Sequence, residues 1–168
     1  MKKSITINET INILKKKEIH VAGDKSLSIR FVLMSSLCKG KCTATNILVS
    51  EDVLSIVKSI KKLGIKINLE GNNCEVFGKG LFGYNYKKDL VLDAGNSGTT
   101  ARLLCATLID SNYKIKIVGD NSLQKRDMSR IIKPLEMFGA SFRHSNGKLP
   151  LFIKGSKNLR AIKFTENL

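Results

Sequence analysis

Two short segments of this chain carry residue types that bind anions. Residues 95–102 read GNSGTTAR, after one apolar run that predicts a strand and before another that predicts a helix. Glycine lets a backbone come close to a ligand, and the first turn of a helix has unpaired N–H groups at the positive end of its dipole. This arrangement predicts a site for a phosphate or carboxylate. The same residues would also make a plain turn with a good helix N-cap.

The second segment lies upstream and matches the first. Residues 23–30 read GDKSLSIR, 72 positions earlier, so that Gly23 corresponds to Gly95 and Arg30 to Arg102. The match continues between residues 52–58 and 127–133, now 75 positions apart. Two copies of one supersecondary unit are therefore predicted, at about residues 18–80 and 88–156, with a spacing too long for a common solenoid repeat.

Helical spacing places cations beside both predicted helix starts. Ser26 and Arg30, like Gly98 and Arg102, are four residues apart and share one helix face. If the two copies pack in a common orientation, both starts meet at one edge, which would also hold Lys25. Arginine offers a planar fork to phosphate or carboxylate and lysine a compact charge, so this edge suits an anionic ligand.

Hydrophobic periodicity predicts a strand–helix–strand–helix–strand–strand order in each copy. The elements of the first copy are expected at residues 18–21, 26–37, 42–47, 51–63, 65–69 and 74–77. Those of the second copy are expected at residues 90–93, 99–109, 114–118, 128–138, 141–143 and 151–154. Helix 26–37 is expected to bury Leu27, Phe31 and Met34. Helix 99–109 is apolar nearly all round, which predicts an α/β (α+β) fold with helices inside and sheets outside.

Composition restricts the function classes. The chain has 168 residues, 42% of them hydrophobic, which is enough for a real core. Its apolar runs fall short of the ~20 residues of a membrane span. Four cysteines without a Cys-x-x-Cys pair, and only two histidines, make a poor zinc set. We therefore expect no metal, no cofactor, and reduced, mostly buried thiols in a cytoplasmic protein.

The formal net charge of +15 suits an anionic partner. The lysines are mostly scattered and the aromatic residues few, without the interleaving typical of a base-stacking platform. Neither nucleic acid nor a membrane is expected as a partner. A basic nucleic-acid binder remains the weakest alternative, and it predicts binding with a steep salt dependence.

These segments resemble one known family. Residues 23–30 resemble the first signature of the 5-enolpyruvylshikimate-3-phosphate synthase (3-phosphoshikimate 1-carboxyvinyltransferase) family, and residues 92–102 (LDAGNSGTTAR) resemble its second. Residues 50–52 (SED) and 119–128 (GDNSLQKRDM) fit further stretches of the family in the right order. The resemblance runs from about residue 5 to 163. The sister enzyme that acts on UDP-N-acetylglucosamine has a Lys-Asn pair where this chain has Lys25-Ser26, so the shikimate enzyme is favoured.

The resemblance implies both fold and reaction. The family has two domains, each built from three βαβαββ units, with ligands bound in the cleft between the domains. Two units would be present here, so residues 1–168 would form part of the N-terminal domain. The family transfers the enolpyruvyl group of phosphoenolpyruvate to the 5-hydroxyl of shikimate 3-phosphate, a step of aromatic amino acid biosynthesis, and releases phosphate. By resemblance, Lys25 contacts both substrates and supplies the electrostatic part of catalysis.

The remaining site residues are carried over by the same resemblance. Ser26 and Arg30 would hold shikimate 3-phosphate. Gly98 and Arg126 would hold phosphoenolpyruvate, in a loop that Asn96 shapes. Asp52 is expected to cap its helix or to orient a neighbour, and Arg102 to be structural.

Three departures from the family pattern carry expectations. Ile29 stands where the family usually has Asn or His, and Asp127 where it usually has Pro. Asp127 is expected to redirect Arg126 and weaken its hold on phosphoenolpyruvate. The acid/base groups and a serine-rich substrate segment of the family lie beyond residue 168, so little turnover is expected of this chain as a truncated product without its C-terminal part. A stand-alone anion-binding or interaction module is the alternative.

Overall fold

A computed structural model gives the structure of residues 20–165. The first half of the described chain contains α1 (Lys25–Leu37), β1 (Lys39–Ala44), α2 (Glu51–Lys62), β2 (Lys66–Glu70) and β3 (Asn73–Lys79). The second half contains β4 (Val91–Asp93), α3 (Gly98–Thr107), β5 (Ile115–Val118), a short 3-10 helix (Leu123–Lys125), α4 (Ser129–Phe138), β6 (Ser141–Ser145) and β7 (Lys148–Lys154).

Each half forms its own sheet. The first sheet has the strand order β1-β3-β2 and is antiparallel throughout. The second has the order β4-β5-β7-β6, in which β4 and β5 are parallel and the other pairs antiparallel. A parallel pair needs a crossover connection, and α3 supplies it. The carboxyl ends of β4 and β5 therefore lie side by side, and the predicted anion loop follows β4.

The strand predicted at residues 18–21 is not formed by its described residues. Residues 18 and 19 lie outside the described part of the chain, and His20 and Val21 belong to no strand. The carbonyl of Val21 accepts a hydrogen bond from the side-chain amide of Asn46 at 3.1 Å. A side chain thus occupies the acceptor that a strand ladder would use, and this part of the prediction is wrong.

The helices lie inside, as the sequence predicts. Helix α1 packs against α2, β3 and α3, and one continuous core joins the halves through residues such as Val32, Ile56, Leu104 and Ile117. The apolar stripe predicted for the helix after Ser50 is confirmed, since Val53, Ile56, Val57, Ile60 and Leu63 are all buried.

The predicted face of α1 is wrong at Leu27 and Met34, whereas Phe31 is partly buried against the core. Leu27 and Met34 are 68% and 59% exposed, whereas Ile29, Val32 and Leu33 are buried. The helix is apolar on two sides, and its close approach to β3 decides which side is covered. A Cβ on Gly78 of β3 would lie 2.1 Å from the carbonyl oxygen of Ser35 in α1. Only a strand without a side chain at that position can approach the helix so closely.

The outer faces of the two sheets share one pattern. Phe77, at the centre of the first sheet, pairs in register with Lys41 and Lys66, whose Nζ atoms lie 5.9 and 5.1 Å from the ring centroid. Phe152 is flanked in the same way by Lys116 and Arg143 in the second sheet, at 5.6 and 5.1 Å. Cations and their aliphatic stems therefore lie over both rings, which leaves them poorly suited to stack on bases.

Candidate functional site

Two capped helix starts form the frame of the site. Helix α1 begins after Asp24, whose Oδ1 accepts a hydrogen bond from the Leu27 amide at 2.7 Å. Helix α3 begins after Ser97, whose Oγ accepts one from the Thr100 amide at 3.2 Å. Asp and Ser are both favoured N-caps, so the sequence sets both starts locally. The cap of α1 carries a negative charge, whereas that of α3 is neutral.

Asp52, in the first turn of α2, connects these two helix starts. Its Oδ2 lies 3.0 Å from Lys25 Nζ, and its carbonyl oxygen accepts a hydrogen bond from the Thr100 hydroxyl at 3.5 Å. The first turns of α1, α2 and α3 thus meet at one edge. An ion pair whose lysine is half exposed stabilises the fold little, but it holds the ammonium group at the first turn of α2. Of the two expected roles of Asp52, the structure shows the orienting one.

The loop between β4 and α3 holds a chain of polar side chains. Asn96 Nδ2 donates to Asp120 Oδ2 at 2.7 Å, and Arg126 Nη2 donates to Asn96 Oδ1 at 3.2 Å. Asp120 Oδ1 also accepts a hydrogen bond from the Leu123 amide at 2.7 Å. The hydrogen bonds from Asn96 and Leu123 lower the pKa of the Asp120 carboxyl, so it stays ionised. Arg126 is thereby held beside the start of α3.

Two guanidinium groups converge on Gly98. A Cβ added at this position would lie 2.9 Å from Arg102 Nη1 and 3.2 Å from Arg126 Nη1. Two guanidinium nitrogens therefore lie close to the first residue of α3, at the end of the helix that has free N–H groups. A dipole end and two planar forks can hold a phosphate or a carboxylate together.

Arg102 is the residue that the sequence analysis assigned only a structural role. Its Nη2 does anchor the chain, because it donates to the Asp127 carbonyl at 3.3 Å. Its Nε is buried without a hydrogen-bond partner, and its Nη1 faces Gly98. The four-residue spacing from Gly98 to Arg102 was the available signal.

Ser26 and Arg30 lie together on α1, apart from the Gly98 cluster. Arg30 Nη1 donates to the Ser26 carbonyl at 3.2 Å, and the Arg30 side chain is exposed. In the part of the chain that the structure describes, Lys25 and Asp52 link this pair to α3. The predicted residues thus fall into two groups on one edge, one on α1 and one around α3.

The structure shows what surrounds the two positions that depart from the family pattern, Asp127 and Ile29. Asp127 Oδ1 accepts a hydrogen bond from the Ser129 amide at 2.9 Å, which lowers the pKa of Asp127 and engages its carboxylate at the start of α4. It forms no ion pair with Arg126 or any other described residue. The Arg126 guanidinium donates to Asn96 and no hydrogen bond or ion pair joins it to the Asp127 carboxylate, so an effect of Asp127 on the hold of Arg126 on phosphoenolpyruvate stays a prediction. Ile29 is fully buried and belongs to the core.

Other site chemistries find little support at residues 20–165. No cluster of His, Cys, Asp and Glu within this range could hold a metal ion. None of the helices described there is long and apolar enough to cross a membrane. All four cysteines are free, and burial raises the pKa of Cys105 to about 12. Only Cys74 and Cys105 are buried, while Cys38 is exposed, so the thiols are less buried than expected.

Comparisons with known proteins agree with this architecture. The family model of EPSP synthase (3-phosphoshikimate 1-carboxyvinyltransferase) matches residues 10–168. The chain is 42% identical over 147 residues to 3-phosphoshikimate 1-carboxyvinyltransferase of Ruthia magnifica, covering 87% of this chain and 33% of that relative. It is also 42% identical over 159 residues to the same enzyme of Desulforamulus reducens, covering 92% of this chain and 37% of the relative.

Solved structures show the same relationship. EPSP synthase from Acinetobacter baumannii superposes with a TM-score of 0.80 at 32% identity, covering 87% of this chain and 34% of that one. The chain thus spans about a third of the length of the relatives that it matches. A family match over nearly the whole sequence, with the same fold, settles the relationship. The chain belongs to the EPSP synthase (3-phosphoshikimate 1-carboxyvinyltransferase) family.

Proposed function

We propose that this stretch of chain binds phosphoenolpyruvate and shikimate 3-phosphate, and that it contributes to transfer of the enolpyruvyl group from the first to the 5-hydroxyl of the second, with release of phosphate. The observation that carries the proposal is the convergence of Arg126 and Arg102 on the start of α3 at Gly98, at an edge to which Lys25 is joined through Asp52. This edge concentrates fixed positive charge beside a helix dipole.

Phosphoenolpyruvate fits the Gly98 cluster. It carries a phosphate and a carboxylate close together, and two groups of like charge need several cations to hold them. Arg126 and Arg102 supply planar forks beside Gly98, where the lack of a side chain leaves room for both guanidinium groups next to the helix N–H groups. Because Asn96 holds Arg126 before the ligand arrives, little side-chain entropy is lost on binding.

Shikimate 3-phosphate fits the group on α1. Arg30 offers a fork and Ser26 a hydroxyl on the same face, and Arg30 makes no ion pair among the described residues. Lys25 is joined to the start of α3 through Asp52, and we propose that it contacts both ligands. Holding two mutually repelling anions at bonding distance is itself a large part of catalysis, and the same cations stabilise charge that develops during the reaction.

Proton transfer requires groups beyond this edge. The relatives are about three times as long as this chain, so we propose that their remaining length corresponds to the partner region that supplies acid/base groups. On this proposal, residues 1–168 form part of the N-terminal domain, with units at about 18–80 and 88–156. The enzyme would act in the cytoplasm, where its thiols stay reduced.

Calorimetric titration of the folded chain tests the binding step. Phosphoenolpyruvate and shikimate 3-phosphate are expected to saturate more tightly than inorganic phosphate. Arg126→Ala should weaken phosphoenolpyruvate binding by roughly tenfold to a hundredfold, as for loss of a charge-assisted hydrogen-bonding group. Lys125→Ala is the matched control, since it removes an adjacent exposed cation and should change affinity less than threefold on this reasoning.

Turnover is tested by complementation. The chain is mixed with the remaining two thirds of the Ruthia magnifica enzyme, and phosphate release is measured with both substrates. Release that requires both parts supports the transferase. Binding without release in any mixture would favour a stand-alone anion-binding module, and preference for UDP-N-acetylglucosamine would favour the sister activity.

A further inference from the structure

We propose that Asp120 is a positioning residue, which sets the direction of the Asn96 amide and thereby presents Arg126 to the anionic ligand. This inference rests on the proposed function and adds a residue that touches no ligand itself. Its basis is the hydrogen-bonded series Asp120–Asn96–Arg126, with distances of 2.7 and 3.2 Å.

The backbone fixes Asp120 beside Asn96. The parallel pairing of β4 with β5 continues past both strands, where the Ala94 amide donates to the Val118 carbonyl and the Asp120 amide to the Gly95 carbonyl, each at 2.9 Å. A Cβ on Gly119 would lie 2.9 Å from the Gly95 oxygen, so the two segments approach as closely as backbones can. The backbone hydrogen bonds therefore place residue 120 beside the loop whatever its side chain is.

Hydrogen-bond chemistry gives the series one direction. A carboxylate can only accept, so Asp120 requires the NH₂ end of the Asn96 amide. The oxygen of that amide then has to face the other way, towards Arg126. A guanidinium can only donate, so it requires that oxygen. The two outer groups thus force a single amide orientation, and Arg126 is held where it flanks Gly98.

The positioning role of Asp120 and its negative charge predict opposite changes in ligand affinity. A carboxylate near an anion site repels the ligand, so removing its charge should strengthen binding by electrostatics alone. The positioning role predicts the reverse for Asp120, because a neutral amide at position 120 can donate as well as accept. It can then take the Asn96 oxygen away from Arg126. The sign of the change in affinity therefore separates the two explanations.

Asp120→Asn is the decisive variant. Its retained Oδ1 can still accept a hydrogen bond from the Leu123 amide, so the turn keeps this bond. The new side-chain NH₂ group, however, no longer requires the NH₂ end of the Asn96 amide to face position 120. Asp127→Asn is the matched control, since this second exposed carboxylate also accepts a backbone amide hydrogen bond beside a helix start, and no hydrogen bond or ion pair joins its side chain to Asn96 or Arg126. We expect phosphoenolpyruvate affinity to fall about tenfold in Asp120→Asn and to stay equal or rise slightly in Asp127→Asn.

A measurement without ligand keeps the inference independent of the proposed function. Solvent exchange of the Arg126 guanidinium protons, followed by NMR, should be faster in Asp120→Asn than in the wild type and unchanged in Asp127→Asn. The backbone amide spectrum reports folding of each variant. Unchanged exchange, or tighter phosphoenolpyruvate binding in Asp120→Asn, would overturn the inference. Absence of phosphoenolpyruvate binding by the wild type would instead count against the proposed function, and the exchange result would still decide the role of Asp120.

Discussion

The two inner helices, α1 and α3, begin differently although their bodies correspond. Ser28 and Ile29 of α1 lie 72 positions before Thr100 and Ala101 of α3, and all four are buried. Yet α3 begins one residue later in that alignment. In α1 the residue at the aligned position, Asp24, caps the helix, whereas its counterpart Asn96 is used by its neighbours in the loop.

This shift changes what each helix start can bind. Because Asn96 is engaged with Asp120 and Arg126, the next residue, Ser97, caps α3, and the cap is neutral. Helix α1 instead keeps a negative cap, and its proposed anion-binding groups are the long side chains of Lys25 and Arg30. On the proposed function, one unit would yield a site built on backbone and glycine in one half and a site built on side chains in the other. The start of α3 should therefore dominate phosphoenolpyruvate affinity.

The largest effect is expected when α3 is given the kind of cap that α1 has. Ser97→Asp keeps a good N-cap but places a carboxylate at the anion site, so phosphoenolpyruvate affinity should fall on the order of a hundredfold. Ser97→Asn, a neutral cap, serves as the control and should stay within about threefold of the wild type. Calorimetric titration measures both. Equal affinities for the two variants would mean that the charge of the cap has no bearing on binding.

A smaller effect is expected from closing the gap at Gly98. The added methyl of Gly98→Ala would lie 2.9 Å from Arg102 Nη1 and 3.2 Å from Arg126 Nη1, so both side chains must move. Phosphoenolpyruvate affinity should fall about tenfold, while the melting temperature holds or rises because alanine favours a helix by about 1 kcal/mol. Shikimate 3-phosphate provides the internal control, since its proposed residues lie on α1. Equal losses for both ligands would show that the sites are not separate.

Giving α1 the neutral kind of cap that α3 has should raise the affinity for shikimate 3-phosphate. Asp24→Ser keeps the cap and removes a negative charge close to Lys25, so shikimate 3-phosphate affinity should rise about threefold. Asp24→Ala, which also removes the cap, should lower the free energy of unfolding by about 1 kcal/mol. Urea unfolding and calorimetry separate the two effects. A drop in affinity with Asp24→Ser at unchanged stability would contradict the assignment of Asp24 as a cap alone.

The smallest effect concerns pH. The carboxyls of Asp120 and Asp127 have lowered pKa values in the folded chain, mainly through hydrogen bonds from Asn96 and the Ser129 amide. Their stabilisation is complete above the unfolded value of about 3.9 and is lost as the pH falls through the lowered folded values. Carboxyl chemical shifts, followed by NMR from pH 6 to 2, should give midpoints below 3.9 for both groups. A titration midpoint of about 3.9 for Asp120 would contradict this, because its carboxylate would then lose its charge near pH 4 and could no longer serve as a charged acceptor for Asn96.

Sequence patterns predicted the positions of helices and strands better than they predicted which residues these elements contact. The stripe of α2 was predictable because its apolar residues lie on one face only, with acidic residues in the first turn and lysines in the last. Helix α1 was not, since leucine and methionine on one side compete with isoleucine and valine on the other. The family resemblance supplied the predictions for Asn96, Gly98 and Arg126, and orienting a neighbour was one of the two roles expected for Asp52. Nothing in the local pattern indicated the hydrogen bond between Asn96 and Asp120.

Local residue patterns were enough to predict the order of elements, the two corresponding helix starts and the family. These patterns are caps, apolar periodicity, glycines and the signature segments. These depend on neighbours a few positions away. The exposed face of α1, the meeting of three helix starts at Asp52 and the Asp120–Asn96–Arg126 series join residues 24 to 48 positions apart. The pairing of β4 with β5, the packing of α1 on β3 and the packing of the helices against one another decide such contacts, because they set which distant segments become neighbours.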